Sequence, residues 1–149
     1  MRSVVQRVDR VVVRTEDKCI SRSERGLLVF LGVERGDQRG DADYISEKII
    51  NLRVFEDASG KMNHSLLDIK GDMLVVSQFT LLGDCRKGRR PSFISAESPD
   101  RARILYDYFI DKVKEKVTRV AQGEFQAMMQ IEVLNNGPVT ILLDSRKEP

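Results

Sequence analysis

The chain has 149 residues, of which 41% are hydrophobic and 32% charged, and a formal net charge of +2. That length allows one domain with a true core, and a chain without low-complexity tracts and with this apolar content is not of the disordered class. The small net charge gives no general argument for a polyanion partner. No run approaches the ~18 apolar residues of a membrane span, and residues Met1–Arg7 lack an apolar core of signal-peptide length. A single cytoplasmic domain over residues 1–149, with no membrane partner, is the expectation. Cys19 and Cys85 are far apart and His64 is the only histidine, too few ligands for a zinc site. No metal and no cofactor is expected, and the cysteines read as reduced thiols.

Residues 3–8 and 10–15 are rich in valine and alternate loosely, with Asp9-Arg10 between them, and predict a strand pair. Gly26–Val33 is continuously apolar and predicts a strand that is buried on both faces or central in a sheet. From Asp41 to about Arg53, Ala42, Ile45, Ile49 and Leu52 mark one helix face, with Asp41 and Asp43 at its positive end. Residues 56–60 form a turn cluster, and a strand is expected over 72–82. Ser98-Pro99 predicts a helix start with a hydroxyl cap. Ala102, Leu105, Phe109, Val113 and Val117 give that helix one apolar face. Strands over roughly 124–134 and 139–144 close the chain. The order β-β-β-α-β-α-β-β predicts an α+β fold, a mixed sheet with two principal helices packed on it.

Two short segments carry chemistry. The first, Ser77-Gln78-Phe79-Thr80-Leu81, closes an apolar run that begins at Met73. Its plain reading is a buried strand whose hydroxyls are satisfied by neighbours. Its functional reading is a strand end, where backbone amides left free by the ladder can hold an ester carbonyl or its oxyanion. The second is Asn135-Asn136-Gly137-Pro138-Val139-Thr140. Asn-Gly between apolar runs is a strong hairpin signal and reads first as a tight turn. Pro138 complicates that turn, because it cannot donate to a ladder and it restrains Gly137. Gly-Pro also admits a cis peptide at low cost.

Together these segments resemble the signature of the D-aminoacyl-tRNA deacylases, and the resemblance covers essentially the whole chain. It implies hydrolysis of the ester joining a D-amino acid to tRNA, with Ser77, Gln78, Phe79 and Thr80 bordering the aminoacyl ester. Thr80 is a natural nucleophile candidate there, but no base is visible to activate it. The resemblance favours main-chain donors, with the substrate's ribose 2′-hydroxyl helping to activate water. It implies a homodimer in which a cis Gly137-Pro138 enters the other subunit's site and blocks an L-side chain. Glycine, which has no side chain to clash, is an implied second substrate when mischarged on tRNA(Ala).

Further positions match the same family pattern. Arg7, in Val5-Gln6-Arg7-Val8, is implied to hold the Gly-Pro element, against the plain reading of a surface arginine. Lys87, Arg89 and Arg90 belong to a basic loop suited to tRNA phosphates, or else to a solvated charge run. Phe125 and Met129 are implied to line the terminal adenosine, and Ala102 to lie near the pocket; core packing is the plain alternative for all three. Gln126 stands where the family usually has glycine. If that glycine serves a positive φ, the backbone is expected to differ here. Asn136 replaces the aspartate common before Gly-Pro. The rival from another class is a non-catalytic tRNA- or DNA-binding module that kept the fold.

Overall fold

The computed structural model describes residues 1–148, and the fold is α+β. The strands are β1 (Arg2–Arg14), β2 (Cys19–Ser23), β3 (Gly26–Gly32), β4 (Phe55–Glu56), β5 (Met62–His64), β6 (Asp72–Ser77), β7 (Val120–Gln122) and β8 (Gln130–Asp144). The helices are α1 (Arg39–Asn51), α2 (Leu66–Ile69) and α3 (Pro99–Lys114). β1 pairs antiparallel with β3 through its first half and with β2 through its second, while β8 runs antiparallel along its opposite edge. β3 continues the sheet through parallel β6 and β7, so the sheet is mixed. β4 and β5 form a separate hairpin.

Strand alternation sorts the apolar residues onto two faces. Met1, Val5, Leu27, Val29, Leu31, Met73 and Val75 face α1 and α3 and make the main core with Ile45, Ile49, Tyr106 and Phe109. Val11, Val13, Leu28, Leu74 and Val76 build a smaller core on the other face. Ile20, Met129, Ile131 and Val133 partly cover that second core, and β2 touches β6 and β7 as the sheet curls. β3 is therefore buried on both faces, as its continuous apolar run predicts.

Several sequence expectations need correction. Residues 3–15 are not a strand pair: β1 runs unbroken through Asp9 and Arg10, whose side chains are exposed. The charged pair marks a bulge, since Val8 faces Asn135 and Arg10 faces Leu134, leaving Asp9 without a partner. Asn136-Gly137 is no hairpin either, because β8 is one strand that β1 is long enough to pair from Gln130 to Asp144. The strand expected over 124–134 begins only at Gln130, after a turn that Gln126 makes possible. The strand expected over 72–82 stops at Ser77 and becomes a 3-10 turn over Phe79–Leu82. Ser98 does precede α3, with Pro99 at its first position, but its hydroxyl makes no cap bond; the Ser98 carbonyl instead accepts from Ala102 N–H at 2.8 Å.

Gly26 has no room for a side chain. A Cβ there would lie 1.8 Å from the Asp72 carbonyl oxygen, across the β3–β6 pairing. Gly26→Ala is expected to cost about 3 kcal/mol or more, at the upper end of overpacking penalties. Chemical denaturation measures it, and a loss below about 0.5 kcal/mol would contradict this packing.

Candidate active site

The first motif sits where β6 ends. Gln78 N–H donates to the Leu31 carbonyl at 2.8 Å, the last tie to β3. The chain then folds over the end of β3, which is possible because Gly32 has no side chain: a Cβ there would lie 2.6 Å from Leu82 Cδ2. Inside the 3-10 turn the first bond runs from Leu81 N–H to the Gln78 carbonyl at 3.3 Å. The amides of Phe79 and Thr80 thus have no acceptor within the turn. They are two adjacent donors at the end of a ladder, the arrangement an ester carbonyl oxygen requires.

The side chains are less suited to catalysis than the backbone. Thr80 is exposed, and its hydroxyl accepts from the Gln78 side-chain amide. Among the described residues no carboxylate or imidazole bonds to Ser77 or Thr80, and His64 lies in the β4–β5 hairpin. Phe79 is 54% exposed and meets Phe93 edge to face at 5.1 Å between centroids. That pair ties the basic loop to the motif. The loop is closed by paired backbone bonds between Asp84 and Ser92, 2.8 and 2.9 Å. The Arg86 guanidinium and amide hold the Asp84 carboxyl down to about 2. Because that pKa is depressed, the clip is fully present above about pH 4 and is lost as pH falls through about 2. Lys87, Arg89 and Arg90 are exposed and make no ion pair among the described residues.

Residues 102–129 close another side. Tyr106, which the apolar-face reading passed over, is buried and donates to the Val75 carbonyl at 3.0 Å, two residues before Ser77. Burial, then the Asp107 charge, raises its pKa, so it stays a donor. Its spacing of four from Ala102 is the signal that could have found it. Phe125 packs on Tyr106 at 5.9 Å, with the Arg103 guanidinium 5.5 Å from its ring centroid. Arg103, Tyr106, Gly123 and Phe125 line a cleft of about 390 Å³. Met129 folds back onto Gly123, its sulfur accepting from Glu124 N–H at 3.4 Å, and Ala102 is half-buried against the core. A larger open groove of about 860 Å³ between the ends of α1 and α3 contains none of the motif residues.

Gln126 corrects an expectation. Its φ is 62°, so the backbone keeps the left-handed conformation that favours glycine, with Ala127 N–H bonded to the Glu124 carbonyl at 3.2 Å. The local backbone tolerates the strain rather than changing. Gln126→Gly is expected to raise stability by about 0.5–1 kcal/mol, measured as an increased denaturation midpoint. A lowered midpoint would mean that contacts of the glutamine side chain outweigh the strain.

The second motif lies elsewhere on the sheet. Gln6 faces Thr140 and Val8 faces Asn135, so Arg7 alone opposes Asn136, Gly137, Pro138 and Val139. The Gly137-Pro138 peptide is cis and both residues are exposed. Arg7 is not a surface arginine: it is 8% exposed and fills the space beneath the bulge. Its Nε donates to the Asn136 carbonyl at 3.1 Å, Nη2 to Asn136 Oδ1 at 3.3 Å, and Nη1 to the Val54 carbonyl at 2.7 Å. Asn135 Oδ1 accepts from Val139 N–H at 3.2 Å. Ser77 pairs with Leu31 and Leu31 with Ser3. From Ser3 to Arg7 along β1, and across from β6 to β8, the motifs are on the order of 20 Å apart along the sheet. The chain does not bring its own two motifs together.

The mixed sheet thus ends in free amides, beside an aromatic cleft and a basic loop. Comparison with known proteins is specific. The family model described as D-Tyr-tRNA(Tyr) deacylase matches residues 4–144. The D-aminoacyl-tRNA deacylase of Syntrophus aciditrophicus is 60% identical over 99% of both chains, and that of Petrotoga mobilis is 57% identical over 99% of both. A solved structure named c-Myc DNA Unwinding Element Binding Protein superposes with a TM-score of 0.92 at 39% identity, covering 97% of this chain and 98% of that one. Another, described as a probable eukaryotic D-amino acid tRNA deacylase, has a TM-score of 0.81 at 21% identity over 96% and 98% of the two chains, and shares the fold. The chain belongs to the D-Tyr-tRNA(Tyr) deacylase family, whose enzymes are hydrolases of ester bonds.

Proposed function

We propose that this chain hydrolyses D-aminoacyl-tRNA to tRNA and the D-amino acid, and spares the L-form by shape. The observation that carries this reading is the exposed Gly137-Pro138 bulge, held by a buried arginine yet far from its own strand end. Such a projection is suited to completing the site of a second copy. Leu134 and Leu142, 50% and 73% exposed on β8, flank the bulge and support a contact between copies. A two-fold homodimer lets each subunit give its loop and receive the other's.

In this reading the ester carbonyl oxygen is held by the amides of Phe79 and Thr80. Water, oriented by the ribose 2′-hydroxyl, attacks the carbonyl carbon. The bond from that carbon to the 3′ oxygen breaks, and the 3′ oxygen leaves with a proton. Gln78 and Ser77 border the ester, Phe79 and Phe93 wall it, and the terminal adenosine rests on Phe125, Met129 and Ala102. Lys87, Arg89 and Arg90 face the acceptor-end phosphates. The backbone wall at Gly137-Pro138 excludes an L-side chain, while a D-side chain points away from it. Glycine passes the same wall, so glycine mischarged on tRNA(Ala) is a second substrate. A non-catalytic tRNA- or DNA-binding module is not favoured, because the curated relatives at 51–60% identity are named as deacylases.

The direct test compares D-tyrosyl-tRNA and L-tyrosyl-tRNA with purified protein and a chelator. Release of the D-form should be faster by about 100-fold or more, some 2.7 kcal/mol of discrimination. Equal rates, or no release of either, would overturn the reading. Thr80→Ala should retain activity within about tenfold, since main-chain donors carry the chemistry. A loss beyond about a thousandfold, with fold and tRNA binding intact, would make the hydroxyl catalytic. Gly137→Ala is expected to lose discrimination. Its φ is +124° and a Cβ would lie 2.9 Å from Arg7 Nη2 and from Val139 Cγ2, displacing the wall. The D-to-L rate ratio should fall by about tenfold or more, each tenfold being ~1.4 kcal/mol; an unchanged ratio would remove the loop from chiral selection.

A further inference from the structure

Arg7 is only one of two charged groups that grip Asn136. The Asn136 Nδ2 donates to both carboxylate oxygens of Asp9, at 3.0 and 3.1 Å. Its Oδ1 and its main-chain carbonyl both accept from Arg7, at 3.3 and 3.1 Å. The amide is thus held by a carboxylate at its donor end and a guanidinium at its acceptor end, which fixes its orientation. Asp9 reaches it because it is the bulged residue of β1, standing between the Val8–Asn135 and Arg10–Leu134 pairs. Asp9 makes no ion pair among the described residues, although Arg10 is adjacent; Arg10 pairs with Glu132 instead, at 3.2 Å. On the other side Glu56 approaches Arg7 at 3.9 Å. Nothing else in the chemistry of the site uses Asp9.

We infer that Asp9 is a positioning residue for chiral selection, setting the Gly137-Pro138 wall through Asn136. This rests on the reading of that wall as the element that rejects L-substrates. Two bulges, one on each strand, lie on either side of the Val8–Asn135 pair. Arg7 supports the wall from beneath, and Asp9 restrains it from the side through the Asn136 amide. Removing Asp9 leaves one end of Asn136 to water, and a rigid wall becomes a yielding one.

The test is a charge exchange. Asp9→Ala deletes the restraint, and Asn136→Asp sets two carboxylates against each other while keeping the Arg7 bond. The double variant Asp9→Asn with Asn136→Asp reverses the pair. An amide at position 9 then donates to a carboxylate at position 136, and Arg7 keeps its acceptor. Two readouts are taken on folded protein: the D-to-L deacylation ratio, and hydrogen exchange of the segment 135–140. Both single variants should lower the ratio about tenfold or more and speed exchange, and the exchanged pair should bring both back to within about threefold of the parent. Parent-like ratio and exchange in both single variants would overturn the role of Asp9, as would a double variant no better than the singles. If the parent itself shows no preference for D-substrates, the proposed function fails. The exchange data then still decide whether Asp9 restrains the loop.

Discussion

The β1–β8 ladder opens at one point, and a single guanidinium fills the opening. Arg7 faces the four residues Asn136–Val139 and directs three of its donors to Asn136 and Val54. Burying a charge costs several kcal/mol unless its hydrogen bonds are made. The bulge supplies those acceptors, and in return the arginine holds the bulge away from the sheet. Without it, β8 would be an ordinary long edge strand. With it, the strand carries a rigid projection on an edge that has no further strand partner among the described residues.

The other half of the site depends on a strand that stops. Gly32 lets the chain turn over the end of β3, and Tyr106 and Gly123 N–H both bond to the Val75 carbonyl just upstream, at 3.0 and 2.9 Å. The amides of Phe79 and Thr80 are left at the rim of a packed core, where they need no reorganisation to meet a developing negative charge. The proposed reaction uses fixed donors and not a titrating side chain, since among the described residues no carboxylate or imidazole bonds to Ser77 or Thr80. In the proposed function the stability–function link is therefore local: core residues of β3, β6 and α3 hold the donors, and the loop residues are assigned the polyanion.

The sequence was informative where one residue type answers to one physical demand. The continuous apolar run of β3, the three- and four-residue spacing of α1 and α3, and Pro99 at a helix start all pointed to the right elements. Short elements stabilised by tertiary contacts, β2, β4, β5, α2 and β7, carried too little local signal to be read. The main failures were at β1 and β8. Asp9-Arg10 and Asn136-Gly137 look like turns in isolation, yet both are bulges in one long ladder, a fact that depends on which strand lies opposite. Gln126 misled for a related reason: its left-handed φ is imposed by the turn over 124–127 and not by its own preference. Of the proposed site, the motif segments were singled out through the family resemblance, while the burial of Arg7, the Asp9–Asn136 hydrogen bonds and the Tyr106–Val75 bond needed the register and the packing.

The separation of the two motifs makes completion in trans the central claim, and mixed assemblies test it most directly. Phe79→Pro removes one main-chain donor at a first-turn position that proline tolerates, giving a subunit with a disabled strand end and an intact loop. Gly137→Ala gives the converse subunit. The two are co-expressed with the Phe79→Pro chain in increasing excess, and hydrolysis of L-tyrosyl-tRNA is measured per Gly137→Ala subunit. Completion in trans predicts that L-hydrolysis falls steadily as each working strand end acquires an intact loop from its partner, while D-hydrolysis persists. L-hydrolysis per subunit that stays constant at every ratio would place the loop in its own chain's site and contradict the proposed assembly.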